Sequence, residues 1–90
     1  MEEERALANE VLHELEQLQS RPTEAKAMIG ALRDKAQIKE PGFESQNAIR
    51  NRRADAWLAI SDLAKAIDED NPELASKWAN AIGKTKSWAN

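Results

Sequence analysis

The stretch from Ser45 to Glu69 constrains the fold most, because its apolar residues keep the pitch of a helix along its whole length. Ile49, Arg53, Ala56, Ile60, Leu63 and Ile67 recur at spacings of 4, 3, 4, 3 and 4, the seam of a helix packed on other helices. Trp57 and Ala64 widen this stripe on one side. On another flank Ala48, Ala59 and Ala66 form a line of small side chains that admits a close neighbour. Leu58 faces away, beside Asn51, Asp62 and Lys65. A strand is excluded, since apolar residues do not alternate.

The segments on either side carry the same period. From Glu2 to Gln19, Leu7, Ala8, Val11, Leu12, Leu15 and Leu18 form one stripe, and Glu2, Glu3 and Glu4 suit the positive end of the helix dipole. Arg21-Pro22 closes this helix, because proline disfavours helical geometry in the residue before it. Thr23 is the expected cap of a second helix running from Glu24 to Ile38, with Ala25, Met28, Ile29, Leu32 and Ala36 buried. The short connection makes these two helices an antiparallel hairpin.

Glu40-Pro41-Gly42-Phe43 is the clearest interruption, with Phe43 expected under the loop and Ser45 capping the long helix. Asn71 and Pro72 read as the cap and first position of a fourth helix. That helix places Leu74, Ala75, Trp78, Ala81, Ile82 and Thr85 on one side and continues to about Ser87 rather than stopping at Gly83. The expected fold is all-α: a compact bundle of four helices comprising an antiparallel hairpin, one long central helix and one shorter C-terminal helix, in a single domain over residues 1–90.

Twenty large apolar side chains and sixteen alanines give that bundle a thin core. Alanine-rich helix faces of this kind are often completed by another chain, so self-association is expected. The absence of cysteine removes disulfide and thiolate chemistry and suits the cytoplasm. No apolar run approaches membrane length and no signal peptide is visible, so no membrane partner is expected.

The net charge of −3 is unevenly spread, with six glutamates and one arginine in residues 1–20 and a basic excess in the remainder. This is not the broad basic face of a nucleic-acid binder. The acidic first helix instead suits the basic start of the long one, within the chain or between chains.

That basic start is Asn47, Arg50, Asn51, Arg52 and Arg53. Guanidinium groups bind phosphate or carboxylate in a bidentate manner and stack on aromatic rings. Helical geometry puts Arg50 and Arg53 along one side with Trp57, while Arg52 points towards Asp55. Arg53 stands on the seam where an apolar residue is expected. Two readings stay open: its stem packs while its head pairs with a glutamate of the first helix, or it binds an anionic ligand together with Asn47 and Arg50.

Trp57 and Trp78 lie centrally on apolar stripes and belong to the core. Trp88, at the stripe's edge near the end of the sequence, is a candidate partner contact together with exposed Leu58. His13 sits on a polar face with Glu10 and Glu14 but has no second histidine or cysteine, so no metal or cofactor is expected. Asp68 and Asp70 fall at a helix end and loop, without an apolar pocket to raise a carboxyl pKa. Serine and threonine lack a plausible base, and no enzyme activity is expected.

Two short resemblances add to this. Trp57, Ile60, Ser61 and Ala64, within Ala54 to Ile82, resemble the first-helix positions of one tetratricopeptide-type hairpin, although Ala75 comes about two residues late and one copy cannot form a solenoid. The run from Arg53 to Ile60 resembles the "RWLAIA" part of a phage hairpin-domain family that sequesters cyclic oligonucleotide immune signals. This chain lacks that family's N-terminal His/Tyr-Arg segment. The second resemblance implies a cyclic nucleotide ligand.

The leading expectation is therefore a small non-enzymatic adaptor or inhibitor that presents a helical face to another protein or to itself, using Leu58 and Trp88. The alternative is a binder of a small phosphorylated or cyclic nucleotide through Asn47, Arg50 and Arg53.

Overall fold

The computed structural model describes residues 2–38 and 48–90, with helices α1 (Glu2–Leu18), α2 (Pro22–Ala36), α3 (Ala48–Asp68) and α4 (Leu74–Ala89). Pro41, Gly42, Phe43, Ser45 and Asn47 lie outside the described residues, as do the side chains of Ile49 and Arg50. No strand occurs among the described residues.

In α1 the buried residues are Ala8, Val11, Leu15 and Leu18, spaced as one stripe, and Leu7 packs at its edge. The helix closes with the Gln19 N–H donating to the Leu15 carbonyl at 3.0 Å and the Arg21 N–H to the Leu18 carbonyl at 2.9 Å. α2 begins earlier than the Thr23 cap implies. Pro22 occupies its first turn and Arg21 its N-cap position, with the Ala25 N–H bonded to the Arg21 carbonyl at 2.8 Å. Proline is tolerated there because the N–H it lacks has no helical acceptor anyway.

Ala25, Ile29, Leu32 and Ala36 form the buried seam of α2. Met28, expected on that face, is 45% exposed. At 100° per residue it sits roughly 70° from the centre of the seam, which places it on the flank. On α3 the seam is Ala56, Ile60, Leu63 and Ile67, broadened by Ala59, Ala64 and Ala66, all buried. Trp57 is half-buried, and its Nε1 is enclosed without an acceptor among the described residues.

α3 ends in a left-handed turn at Asp70, whose φ is 51°. The Asn71 N–H reaches back to the Ala66 carbonyl at 3.0 Å and the Asp70 N–H to the Ile67 carbonyl at 3.3 Å. This is the Schellman arrangement, with aspartate where glycine is favoured. Asn71 then caps the next segment, its Oδ1 accepting from the Glu73 N–H at 2.7 Å and its carbonyl from the Leu74 N–H at 3.1 Å. The expected start at Pro72 is thus a tight turn, and α4 proper begins at Leu74.

Within α4, Trp78, Ala81, Thr85, Trp88 and Ala89 are buried. The Thr85 hydroxyl is satisfied by donating to the Ala81 carbonyl at 2.8 Å. Gly83 stays inside the helix, which runs past Ser87 to Ala89.

The packed pairs are α3 with α4, α1 with α4, α2 with α3, and α1 with α2. The radius of gyration is 12.6 Å, against about 12 Å for a compact chain of this length. The body is compact and all-helical. No described helix is long and apolar enough to cross a membrane.

Candidate functional site

Two regions at opposite helix ends hold the chemistry of this molecule. At one end the starts of α1 and α3 meet the ends of α2 and α4 around Arg53. A helix ends with carbonyls that have no internal partner and carry partial negative charge. Arg53 reaches across from α3 to satisfy those of α2. Its Nε donates to the Ala36 carbonyl at 2.9 Å, and one terminal nitrogen donates to the carbonyls of Gln37 at 2.9 Å and Lys35 at 3.4 Å.

The other terminal nitrogen of Arg53 straddles the Glu4 carboxylate, at 3.3 Å to Oε1 and 3.2 Å to Oε2. The guanidinium also lies over the Trp88 ring, 5.4 Å from its centroid, a cation–π arrangement. Trp88 completes the circuit by donating its indole N–H to Glu4 Oε1 at 3.0 Å. The side chains of Arg53 and Glu4 retain only 17% and 25% exposure, so this ion pair is shielded well beyond an ordinary surface pair.

All three Arg53 nitrogens are bonded within the chain, as in the packing-and-pairing reading of this residue. Trp88 is 3% exposed: it belongs to the core and the Glu4–Arg53 circuit rather than to an open partner surface. Leu58 does stand outside, 55% exposed. Asn47 and the Arg50 side chain lie outside the described residues, so the proposed trio is represented here by Arg53 alone.

Beside this circuit, Lys35 bridges α2 to α1 through Glu10 at 2.6 Å and Glu14 at 3.0 Å. The hydrogen bond to Glu10, followed by that to Glu14, raises the lysine pKa above its ordinary value of 10.5. His13 is exposed and its Nε2 pairs with the Gln17 amide at 3.0 Å.

At the opposite end, the start of α2 and the start of α4 stand apart across Ile67 of α3. α2 and α4 are not among the packed pairs of described residues. Between them lies a cleft of about 740 Å³, walled by Pro22, Ala25, Ala27, Leu74, Ala75 and Trp78, with Lys26 and Asp70 as its charged groups. That volume falls in the range of sites that enclose ligands or anchor side chains, roughly 300–1,000 Å³. The signal for it in the sequence is alanine at three wall positions, where larger residues would have closed the gap.

A smaller, more polar recess of about 300 Å³ lies between α3 and α4, with Arg52, Asp55, Asn80, Lys84 and Ser87 on its walls. Its walls mix both charge signs, whereas the cleft between α2 and α4 has a mainly apolar lining.

Among the described residues the protein is all-helical, with an apolar opening between α2 and α4. No protein-family model, curated protein or solved structure matches this chain.

Proposed function

We propose that this chain is a single-domain antiparallel bundle of four helices that acts as a non-enzymatic protein-interaction module, taking apolar side chains of a partner into the cleft between α2 and α4. The observation that carries this reading is the cleft itself, about 740 Å³ of space bordered by Ile67, Leu74 and Trp78. Burying apolar partner surface there supplies affinity at about 25 cal/mol per Å² before the costs of association. Self-association remains part of the proposal, with exposed Leu58 and Met28 as its contacts.

The nucleotide-binding alternative has less support, since the donors of Arg53 are already occupied by Glu4 and the end of α2. It predicts thermal stabilisation by nucleotides that is lost in Arg50→Ala.

The test of the main reading is capture from native lysate, read by mass spectrometry, with wild type compared against Ala75→Trp. Ala75 is exposed at the cleft wall, so tryptophan there occupies the opening without entering the core. Ala31→Trp, on an exposed position of α2 away from the cleft walls, is the control. A partner held by wild type and Ala31→Trp but lost by Ala75→Trp is the expected result. Equal capture by all three contradicts the cleft as the contact. Light scattering reads self-association separately, and a strict monomer removes that part.

A further inference from the structure

The cleft is apolar, and its charged surroundings differ from wall to wall: Lys26 stands on the α2 side, whereas the approach from α3 to α4 is acidic. Asp70 is one of its wall residues and belongs to the turn between α3 and α4. The end of α3 and that turn together carry Asp68, Glu69, Asp70 and Glu73, all exposed, with no basic residue between Lys65 and Lys77. None of these carboxylates joins a salt bridge among the described residues, whereas nearby Arg21 is paired with Glu24 at 3.6 Å and Lys77 with Asp62 at 3.9 Å. Four like charges in six residues repel one another, and a cation brought against them relieves that repulsion.

The dimensions of the cleft narrow the occupant further. Its walls use residues 22–27 of α2 and 74–78 of α4, which at 1.5 Å per residue span about 6–7.5 Å. Two side chains at positions i and i+4 of a helix are about 6 Å apart along its axis. The cleft therefore matches two anchors from a single turn of a crossing helix. Such a helix also covers the open mouth and carries its flanking residues over the acidic turn, which a compact small molecule does not.

We propose that the partner presents a basic amphipathic helix: two large apolar side chains one turn apart fill the cleft, and neighbouring lysines or arginines lie against Asp68, Glu69, Asp70 and Glu73. This rests on the reading of the cleft as a partner site and adds the partner's chemistry. The apolar anchors set how deeply the helix seats. The acidic turn sets its charge sign, its direction and the speed of encounter.

The probes are a helical lysine/leucine peptide and its glutamate/leucine twin with the same apolar face. Both are titrated calorimetrically into the full chain at low and at physiological salt. Three proteins are compared: wild type, Ala75→Trp, and the combined variant Asp68→Asn, Glu69→Gln, Asp70→Asn, Glu73→Gln, each verified as folded by circular dichroism. The expected result is lysine-peptide binding at least tenfold tighter than that of the twin to wild type at low salt. That preference shrinks at higher salt and collapses in the neutralised variant, and Ala75→Trp loses binding of the lysine peptide. Equal affinity for both peptides overturns the basic partner while leaving the cleft as an apolar contact. Lysine-peptide binding that survives Ala75→Trp overturns the seating in the cleft. Binding of neither peptide overturns the helical occupant, and the lysate comparison then decides separately whether the cleft is a contact.

Discussion

Where α2 and α4 terminate, a long charged side chain fills the space between helices and all three nitrogens of Arg53 are bonded. Where α2 and α4 begin, Ala25, Ala27 and Ala75 leave space unfilled, and four carboxylates stand along one side without a salt bridge among the described residues. The same four helices thus meet in a polar clamp at one end and an apolar gap at the other. The clamp ties the start of α3 to the start of α1 and to the ends of α2 and α4, while no comparable polar network joins α2 to α4 across the cleft among the described residues.

The most severe way to break this contrast is to remove the clamp. Arg53→Met keeps much of the stem but strips the donors from Glu4 and from the α2 carbonyls. By the cost of orphaning a shielded charge, it is expected to destabilise the fold by about 3 kcal/mol in urea titration. A loss under about 0.5 kcal/mol would show that the clamp contributes no more than an ordinary surface pair. Trp88→Phe removes only the indole donor to Glu4 and some ring area, with an expected loss of about 1–2 kcal/mol. A double-mutant cycle of Arg53→Met with Trp88→Phe should be non-additive, because both residues act on Glu4.

At the open end the sign reverses. Asp70 holds a φ of 51° that glycine adopts without strain. Asp70→Gly is therefore expected to raise the thermal midpoint, with a gain of about 0.5–1 kcal/mol that includes relief of charge repulsion. A drop would mean that the Asp70 carboxylate supports the turn.

The smallest effect concerns Lys35. Its pKa is raised in the folded state by Glu10 and then Glu14. The stabilisation is consequently whole below the ordinary lysine value of 10.5 and fades as pH climbs through the higher folded value. Stability measured from neutral pH to strongly alkaline pH should fall less steeply in Lys35→Met than in wild type. Identical slopes would remove the bridge as a contributor.

Period alone located the helices, since a seam such as Ile60, Leu63 and Ile67 is a local property of the chain. Their starts were less legible. Pro22 serves equally to close one helix and to open the next, and Asn71 caps a turn before α4 rather than α4 itself. Arg53 stood out as a charged residue on an apolar seam, but its partners could not be read. Glu4 is 49 positions from Arg53 and 84 from Trp88, and no local pattern encodes pairings at that range. The same holds for Trp88, whose place at the stripe's edge fits either an outer contact or a cap over the core. The cleft left the faintest trace, because it is defined by missing bulk, and an alanine in a helix has many other reasons to be there.

The three tryptophans offer the most direct test, since Trp78 lines the cleft while Trp88 is tied to Glu4 at the clamp. Their indole N–H resonances, followed by heteronuclear NMR during titration with the lysine/leucine helix, report both ends at once. The Trp78 signal is expected to move progressively to saturation while that of Trp88 keeps its position. Movement of Trp88 with Trp78 unchanged would contradict it, placing the contact surface at the end held by Arg53.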